Sequence, residues 1–388
     1  MKKIFIIILF CIISSKAEAQ WTTISQSVGA VESMEFVSPT KGFASSTFGT
    51  SVSNDGGVSW ATTQISGVRD VDFIDALNGV AIGWFGLIKQ TNDGGVNWST
   101  ITPPNSTSLW GVSMISIDTF FISIAGGKVY RTYNGGASFT IQTVNTTGSA
   151  MTDIVFTSGQ NGCVTASGGK IYQTTNGGNT WGAPVYTPPI TAGMNALFFV
   201  NASVGYAVGS SGIIVKTING GSTWTPQTSG TLRSLRSIHF CDISNGFAVG
   251  DSGTVLRTVN GGATWFFENV PSTIDLEAVH VFNPNSAIIG GLNVFYKNTN
   301  LTTDIGEIET NYSCSVFPNP GNDYININLS PAINNGRMVI TDLTGRILIN
   351  DNFIGKEKSL DISELPRGLY LLQISNGNFF VQRKIIRN

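Results

Sequence analysis

The sequence predicts an all-β protein: a seven-bladed β-propeller closed by an N-terminal strand, followed by a small C-terminal antiparallel β-sandwich. Three observations carry this. A Gly-Gly turn string returns six times at intervals of 38 to 43 residues, an apolar string returns seven times between those turns, and near residue 303 both stop and a new alternating pattern begins.

The chain opens MKKIFIIILFCIISSKAEAQ, with Lys2 and Lys3, an apolar run from Ile4 to Ile13 and Ala17-Glu18-Ala19. This is the layout of a signal peptide over residues 1–19, cleaved after Ala19, and the apolar run is too short to span a membrane. Cys11 offers a lipid-attachment reading, which the bulky Phe10 before it opposes. No later stretch is apolar enough to cross a bilayer. Charged residues make up 12% of 388 and the formal net charge is -2, so nothing electrostatic calls for a nucleic acid partner. Three cysteines remain in the mature chain, Cys163, Cys241 and Cys314; the odd number means disulfides are not the framework.

The repeated turn reads SNDGGVSW from Ser53, TNDGGVNW from Thr91, TYNGGASF from Thr132, TTNGGNTW from Thr174, TINGGSTW from Thr217 and TVNGGATW from Thr258. Its third position is Asp55, Asp93, Asn134, Asn176, Asn219 or Asn260. A short acid or amide there can bond backbone amides, the two glycines permit positive φ, and the closing Trp returns apolar area to the interior. Upstream lies the second string: KGFASS at Lys41, NGVAIG at Asn78, NGCVTA at Asn161, VGYAVG at Val204 and NGFAVG at Asn245, with divergent copies DTFFIS at Asp118 and NSAIIG at Asn285. An apolar run precedes each, ending in Phe36, Phe73, Met114, Phe156, Phe199, Phe240 or Val281. About forty residues of short β segments without helical periodicity is the size of a four-stranded propeller blade.

The turn string resembles the Asp-box of sialidase-type BNR repeats, and the pattern over about residues 20 to 303 is similar to the photosystem II stability/assembly factor-like propellers. That resemblance implies the fold. It does not imply an activity, because the turn lies away from the active site in the enzymes that share it. Asn in four of six copies removes the charge a cation would want, and neither a metal nor a cofactor is expected.

Aligning the seven units on their closing apolar residue sorts the innermost strands into columns. Two positions earlier all are apolar, from Met34 to Val279, and this column is core. Four positions earlier stand Glu32, Arg69, Trp110, Thr152, Asn195, Arg236 and Glu277, which would ring one mouth of the central channel. Arg236, Glu277, Glu32 and Arg69 are consecutive around the ring, read either as two exposed salt bridges or as part of a binding mouth. Trp84 in AIGWFGL and Trp110 lie outside the Trp register of the turns; exposed aromatics beside Arg and Glu are what a glycan or protein site offers. One position before the closing residue fall Glu35, Asp72, His239 and His280, read as buried polar groups bonded between blades, with a metal or acid/base pair as the sharper alternative.

A sialidase needs an arginine cluster, and Arg69, Arg131, Arg233, Arg236 and Arg257 do not supply its pattern; Arg131 and Arg257 sit beside the repeat turns at the other end. The leading expectation is a non-enzymatic binding module for a protein or glycan. The alternative is a glycoside hydrolase using two carboxylates at the mouth.

Residues 304–312 read as a polar linker and 313–388 as the sandwich, with alternation in Tyr324 to Leu329 and Met338 to Thr341. Four blocks, Phe317-Pro318-Asn319-Pro320, Asp342-Leu343-Thr344-Gly345-Arg346, Leu365-Pro366-Arg367-Gly368-Leu369-Tyr370 and Arg383-Lys384-Ile385-Ile386, closely resemble the type A C-terminal sorting domain of the type IX (Por) secretion system. The resemblance implies export through the periplasm to the outer surface and makes the secretion machinery a partner. One feature of the propeller itself is left over: blade 7 offers three strands and no turn, while QWTTISQ at Gln20 looks like the piece after a turn. It is expected to supply the missing fourth strand and clasp the ring.

Overall fold

The computed structural model describes residues 21–298 and 313–388, apart from residues 47, 64, 191, 343–346 and 376–379. The expected signal peptide, the linker and Gly345 lie outside the described residues. Among those described there is no α-helix, only three single 3-10 turns.

Residues 22–298 form seven antiparallel blades. Blade 2 runs Val68–Phe73, Gly79–Gly83, Ile88–Thr91 and Ser99–Thr100, and blades 3, 5 and 6 repeat this four-stranded meander. The innermost strands contact one another in a closed circuit, from residues 31–36 through Val68–Phe73, Leu109–Met114, Met151–Phe156, Met194–Phe199, Leu235–Phe240 and Leu276–Asn283 back to the first.

Closure is made by the N-terminus. The strand Thr22–Phe36 serves two blades: Thr22 to Ser25 pair with Lys297 to Val294 as the outer strand of blade 7, and Ser33 to Phe36 pair with Ser45 to Gly42 as the inner strand of blade 1. Trp21, 5% exposed, packs edge-on against Phe247 of blade 6 at 6.1 Å, among Val249, Val255 and Tyr296. It fills the place the closing Trp of a turn fills in other blades, where Trp60 of blade 1 stacks on Phe295 of blade 7 at 4.6 Å. The clasp is therefore continuous with the repeat, minus its turn.

Blade 4 departs from the expected four strands. Only Met151–Phe156, Gly162–Ala166 and Ile171–Thr174 form its sheet, with a lone bridge from Ile171 to Tyr186. Pro184, Pro188 and Pro189 explain the loss, since proline cannot donate to a ladder.

The two repeated strings pack on each other. Phe36, Phe73, Phe156, Phe199 and Phe240 lie directly across the ladder from Gly42, Gly79, Gly162, Gly205 and Gly246. A Cβ at those glycines would come within 2.3 to 2.8 Å of the facing ring, so glycine is the residue that admits the aromatic. Each ring then meets the Trp of its own turn edge-on at 5.7 to 6.1 Å. Where the column is Met114 or Val281, the partner across the ladder is Phe120 or Ala287 instead of glycine.

All six turns share one bonding scheme. The first hydroxyl donates to the Asp or Asn Oδ1 at 2.8 to 3.0 Å. That hydroxyl also accepts from the second glycine N–H, and Oδ1 accepts from the N–H four residues on. With Asp55, Ser59 Oγ donates to the free carboxylate oxygen; with Asn134, Asn176, Asn219 and Asn260 the amide donates to the hydroxyl at the same place. Asp and Asn thus make the same turn with one bond reversed, and no cation is needed. The first glycine N–H reaches the hairpin between the two inner strands of its own blade, as from Gly56 to Thr40 and Gly94 to Leu77, which puts every turn on one face of the ring.

Residues 313–387 form one bent antiparallel sheet. Tyr324–Thr341 and Ile347–Asp361 pair along most of their length and change register between residues 328 and 336, while Ser313–Phe317, Gly368–Ser375 and Phe380–Arg387 complete the order. Ile325, Ile327 and Leu329 alternate into a core with Met338, Ile340 and Phe353, all 0% exposed. The alternation thus produces the expected antiparallel domain, but its five strands belong to one bent sheet and not to two.

Candidate functional site

The face opposite the turns is built by a defect repeated in every innermost strand. The ladder skips one residue between Val31 and Ser33, Val68 and Asp70, Leu109 and Gly111, Met151 and Asp153, Met194 and Ala196, Leu235 and Ser237, and Leu276 and Ala278. The skipped residues are Glu32, Arg69, Trp110, Thr152, Asn195, Arg236 and Glu277, the column that sequence alignment placed at the mouth. A β-bulge re-aims a side chain out of the pleat, so the apolar residues on either side stay in the core while the bulged ones turn to the mouth. The sequence carried this signal in the three-residue apolar spacing Val31 to Met34 and Val68 to Val71, which breaks the period of two.

Three of the expected mouth residues come together. The guanidinium carbon of Arg69 lies 4.4 Å from the ring centroid of Trp84 and 3.8 Å from that of Trp110, and the two indoles are 6.2 Å apart. Burial pushes the Arg69 guanidinium below its ordinary value, against the pull of Glu32, Asp70 and Glu277. Arg236 instead bonds Asp251 at 2.7 Å and approaches Glu277 at 3.7 Å. Burial opposes its charge, but these carboxylates win and raise its pKa; burial also raises Glu277, outweighing Arg236 at that longer distance. Of the two salt bridges read from the column, one forms. Arg69 has taken the indoles instead of an ion pair with Glu32.

Trp84 belongs to the 3-10 turn Trp84–Gly86, whose counterparts in blades 5 and 6 are Ser210–Gly212 and Asp251–Gly253. The middle residue of each has φ between 54 and 58, and in blade 2 that residue is Phe85, 84% exposed. A bulky side chain in left-handed backbone is strained. Sequence reasoning passed over Phe85, although alignment of the three turns would have set it against Ser211 and Ser252.

Below the mouth the channel is lined by carboxylates that staple blade to blade. Glu35 Oε2 accepts from Phe73 N at 2.8 Å, Asp70 Oδ2 from Val112 N at 2.9 Å, Asp72 Oδ2 from Met114 N at 2.6 Å and Asp153 Oδ2 from Leu197 N at 2.7 Å. Ser113 and His239 do the same for Phe156 and Val281. Each of these residues is half-buried, with its carboxylate enclosed by protein. Burial raises Asp70, raises Glu35 and Asp153 well above the ordinary range, and lifts Asp72 to about 7; carboxylate neighbours add to this for Glu35, Asp72 and Asp153. Gly111 leaves room for this layer, since a Cβ there would lie 2.7 Å from Asp153 Oδ1.

On the adjoining blades 6 and 7 the rings of His239 and His280 lie 4.2 Å apart, tilted by 39°; burial holds His280 at about 4 and His239 well below its ordinary value, so both are neutral. Of that arc, His239, Glu35 and Asp72 each bond the next blade, whereas the buried His280 Nδ1 has no hydrogen-bond partner among the described residues. Among the described residues no group of three or more His, Cys, Asp or Glu side chains could hold a metal ion.

At the C-terminal sheet, blocks from both ends of that domain meet. Asn319 donates to Lys384 O at 2.7 Å and accepts from Ile386 N at 2.8 Å, and Gly321 N donates to Ile386 O at 2.8 Å. Pro318 and Pro320 flank that clamp. Gly368 pairs with Arg387, and the Tyr370 hydroxyl donates to Pro366 O.

Comparison with known proteins bears on both parts. Residues 315–388 match the secretion system C-terminal sorting domain. The chain is thus a type IX cargo, bound for the cell surface or the extracellular space. Residues 65–193, in blades 2 to 4, match the family of the photosynthesis system II assembly factor YCF48. No curated protein matches the chain. Among solved structures it is similar to YCF48 bound to D1 peptide and to YCF48 from Cyanidioschyzon merolae. Each is 18% identical with a TM-score of 0.59, over 72% of this chain and 97% or 98% of theirs. The WD40 β-propeller domain of Doa1 follows at 13% and 0.56, over 72% of this chain and 96% of that one. At such identities the likeness establishes the fold and no more. No described helix is long and apolar enough to cross a membrane.

Proposed function

We propose that this secreted propeller is a non-enzymatic binding module, delivered after removal of residues 1–19, whose ligand docks at the bulge-lined mouth around Arg69, Trp84 and Trp110. The observation that carries this is the guanidinium held between two indoles, with no hydrogen bond from its N–H groups to described residues. A stacked arginine is fixed in place and keeps its donors for a partner. Glu32, Glu277 and Arg236 would frame that contact. One similar propeller was solved with a peptide bound, which makes a polypeptide ligand the first to try and a glycan the second.

A glycoside hydrolase would need two carboxylates free in a cleft. Glu35, Asp70, Asp72 and Asp153 are committed to backbone N–H groups of the next blade. At the mouth Glu277 faces Arg236 while Asp275 accepts from Ser252 N, so Glu32 stands there without a second free carboxylate among the described residues, which favours binding over hydrolysis. The test is to probe the purified secreted protein against a glycan array and a displayed peptide library, then repeat with Trp84→Ala and Trp110→Ala. A ligand docked at the mouth should lose about tenfold or more in affinity with Trp110→Ala. Ligands that bind both variants as well as the wild type would place the site elsewhere.

A further inference from the structure

The loop between the second and third strand of each blade ends at the mouth face, so the ring offers seven quasi-equivalent tips to compare. In blades 3 and 4 the tips are Gly126-Gly127 and Gly168-Gly169, and in blades 5 and 6 they are Ser211 and Ser252. In the three consecutive blades 7, 1 and 2 they are Leu292, Phe48 and Phe85, exposed by 57%, 60% and 84%. Four tips are small and three large, and the large ones are neighbours across the clasp. Repetition of the blade does not require the bulk of blade 2, because Ser fills the left-handed position of Phe85 in blades 5 and 6; in blade 7 that conformation belongs to Asn293, next to Leu292. Leu232, beside the tips of blades 5 and 6, is an exposed apolar side chain as well, whereas three consecutive large tips in one arc mark an interaction surface.

The charge inside this arc has one sign until Arg69. Asp275, Glu277 and Glu32 line the mouth of blades 7 and 1, and Glu32 has no cation within 4 Å among the described residues. The Lys and Arg residues in 21–68 and 270–298 are Lys41 and Lys297 alone. Both sit at the opposite face, where Lys297 donates to Gly56 O and Lys41 lies beside Gly94. His280, the remaining basic group of blade 7, is held neutral by burial.

From these observations we infer that the arc over blades 7, 1 and 2 binds a polypeptide segment that joins large apolar side chains to lysine or arginine. The apolar residues cover Leu292, Phe48 and Phe85, and the cation answers Glu32. A neutral saccharide can stack on Phe48 and Phe85 and hydrogen-bond Glu32, but it brings no cation to the run of Asp275, Glu277 and Glu32, and Leu292 gives it no stacking platform. The inference rests on the binding-module reading and names the ligand class of the same mouth.

Three fluorescein-labelled octapeptide pools test it: Leu/Phe with Lys, Leu/Phe with Glu, and Ala with Lys, titrated against the secreted protein. The Leu/Phe/Lys pool should bind at least about tenfold more tightly than either other pool. Phe48→Ser with Phe85→Ser gives the arc the tips of blades 5 and 6, so the fold should persist, and it should weaken that pool about tenfold. Glu32→Gln should weaken it about threefold and flatten its salt dependence. Equal binding of Lys and Glu pools, or no loss in the double Ser variant, would overturn the arc and leave the binding module standing. A glycan ligand with no pool bound would overturn the polypeptide occupant alone, and no ligand of either class would overturn the module itself.

Discussion

Single residues in this protein are chosen for the hydrogen bonds they complete. The turn amide is one case. Asn219 accepts from Thr217 Oγ1 and Thr223 N, and its amide donates to Thr223 Oγ1. A hydroxyl can turn round, as Ser59 does for Asp55, so Asn219→Asp should change stability by less than about 0.5 kcal/mol. Asn219→Ala leaves the Thr217 hydroxyl and the Thr223 amide without their acceptor, and should cost about 1–2 kcal/mol. Thermal unfolding of the two variants side by side checks this, and equal losses would mean that the charge, and with it a cation, matters after all.

At the scale of the element, the first strand decides whether there is a ring at all. Residues 22–25 pair with residues 294–297, and Trp21 seals blade 7 against blade 6. Burying one Trp is worth a few kcal/mol, at about 25 cal/mol per Å² over roughly 200 Å². Without the strand, residues 294–298 become a free edge. Trp21→Ala should therefore cost about 3 kcal/mol or more, and removal of residues 20–26 should speed hydrogen exchange in blades 7 and 1 while sparing blades 3 and 4. Uniform exchange after that trim would show that the ring closes without its clasp.

This element was legible because QWTTISQ repeats the context of Trp60 and Trp98. The missing strand of blade 4 was overlooked, because Pro184, Pro188 and Pro189 were not set against the count of strands. The bulges were missed because one extra residue is invisible to a period of two unless apolar spacings of three are compared across all seven units. Mouth residues were nevertheless aligned correctly, because the bulge falls at the same place in each repeat and shifts the whole column together. The pairing of Arg69 with Trp84 and Trp110, rather than with Glu32, needed coordinates: it joins a loop of blade 2 to the inner strand of blade 3, and no periodicity links those positions.

For the whole molecule, the channel sets how stability depends on pH. Glu35, Asp70, Asp72 and Asp153 have folded pKa values above their unfolded ones, so their contribution is complete below about pH 4 and is lost as pH rises through the folded values, about 7 for Asp72. His239 and His280 are depressed, so they act in the opposite direction, contributing above about pH 6.5 and losing that as pH falls toward about 4. Asp72, raised to about 7, and Glu35 and Asp153, raised well above the ordinary range, outweigh the two imidazoles, so the folded ring holds more protons than the unfolded chain above about pH 5. The melting temperature should accordingly fall as pH rises across that range. Asp72→Asn keeps an acceptor for Met114 N and removes one of the charges forced on the channel. It should therefore melt higher than the wild type at pH 8, by roughly 2–4 kcal/mol of stability, and nearly level with it at pH 5. A wild type whose melting temperature rises from pH 5 to 8 would mean that channel water hydrates these carboxylates well enough to keep them ionised in the folded ring.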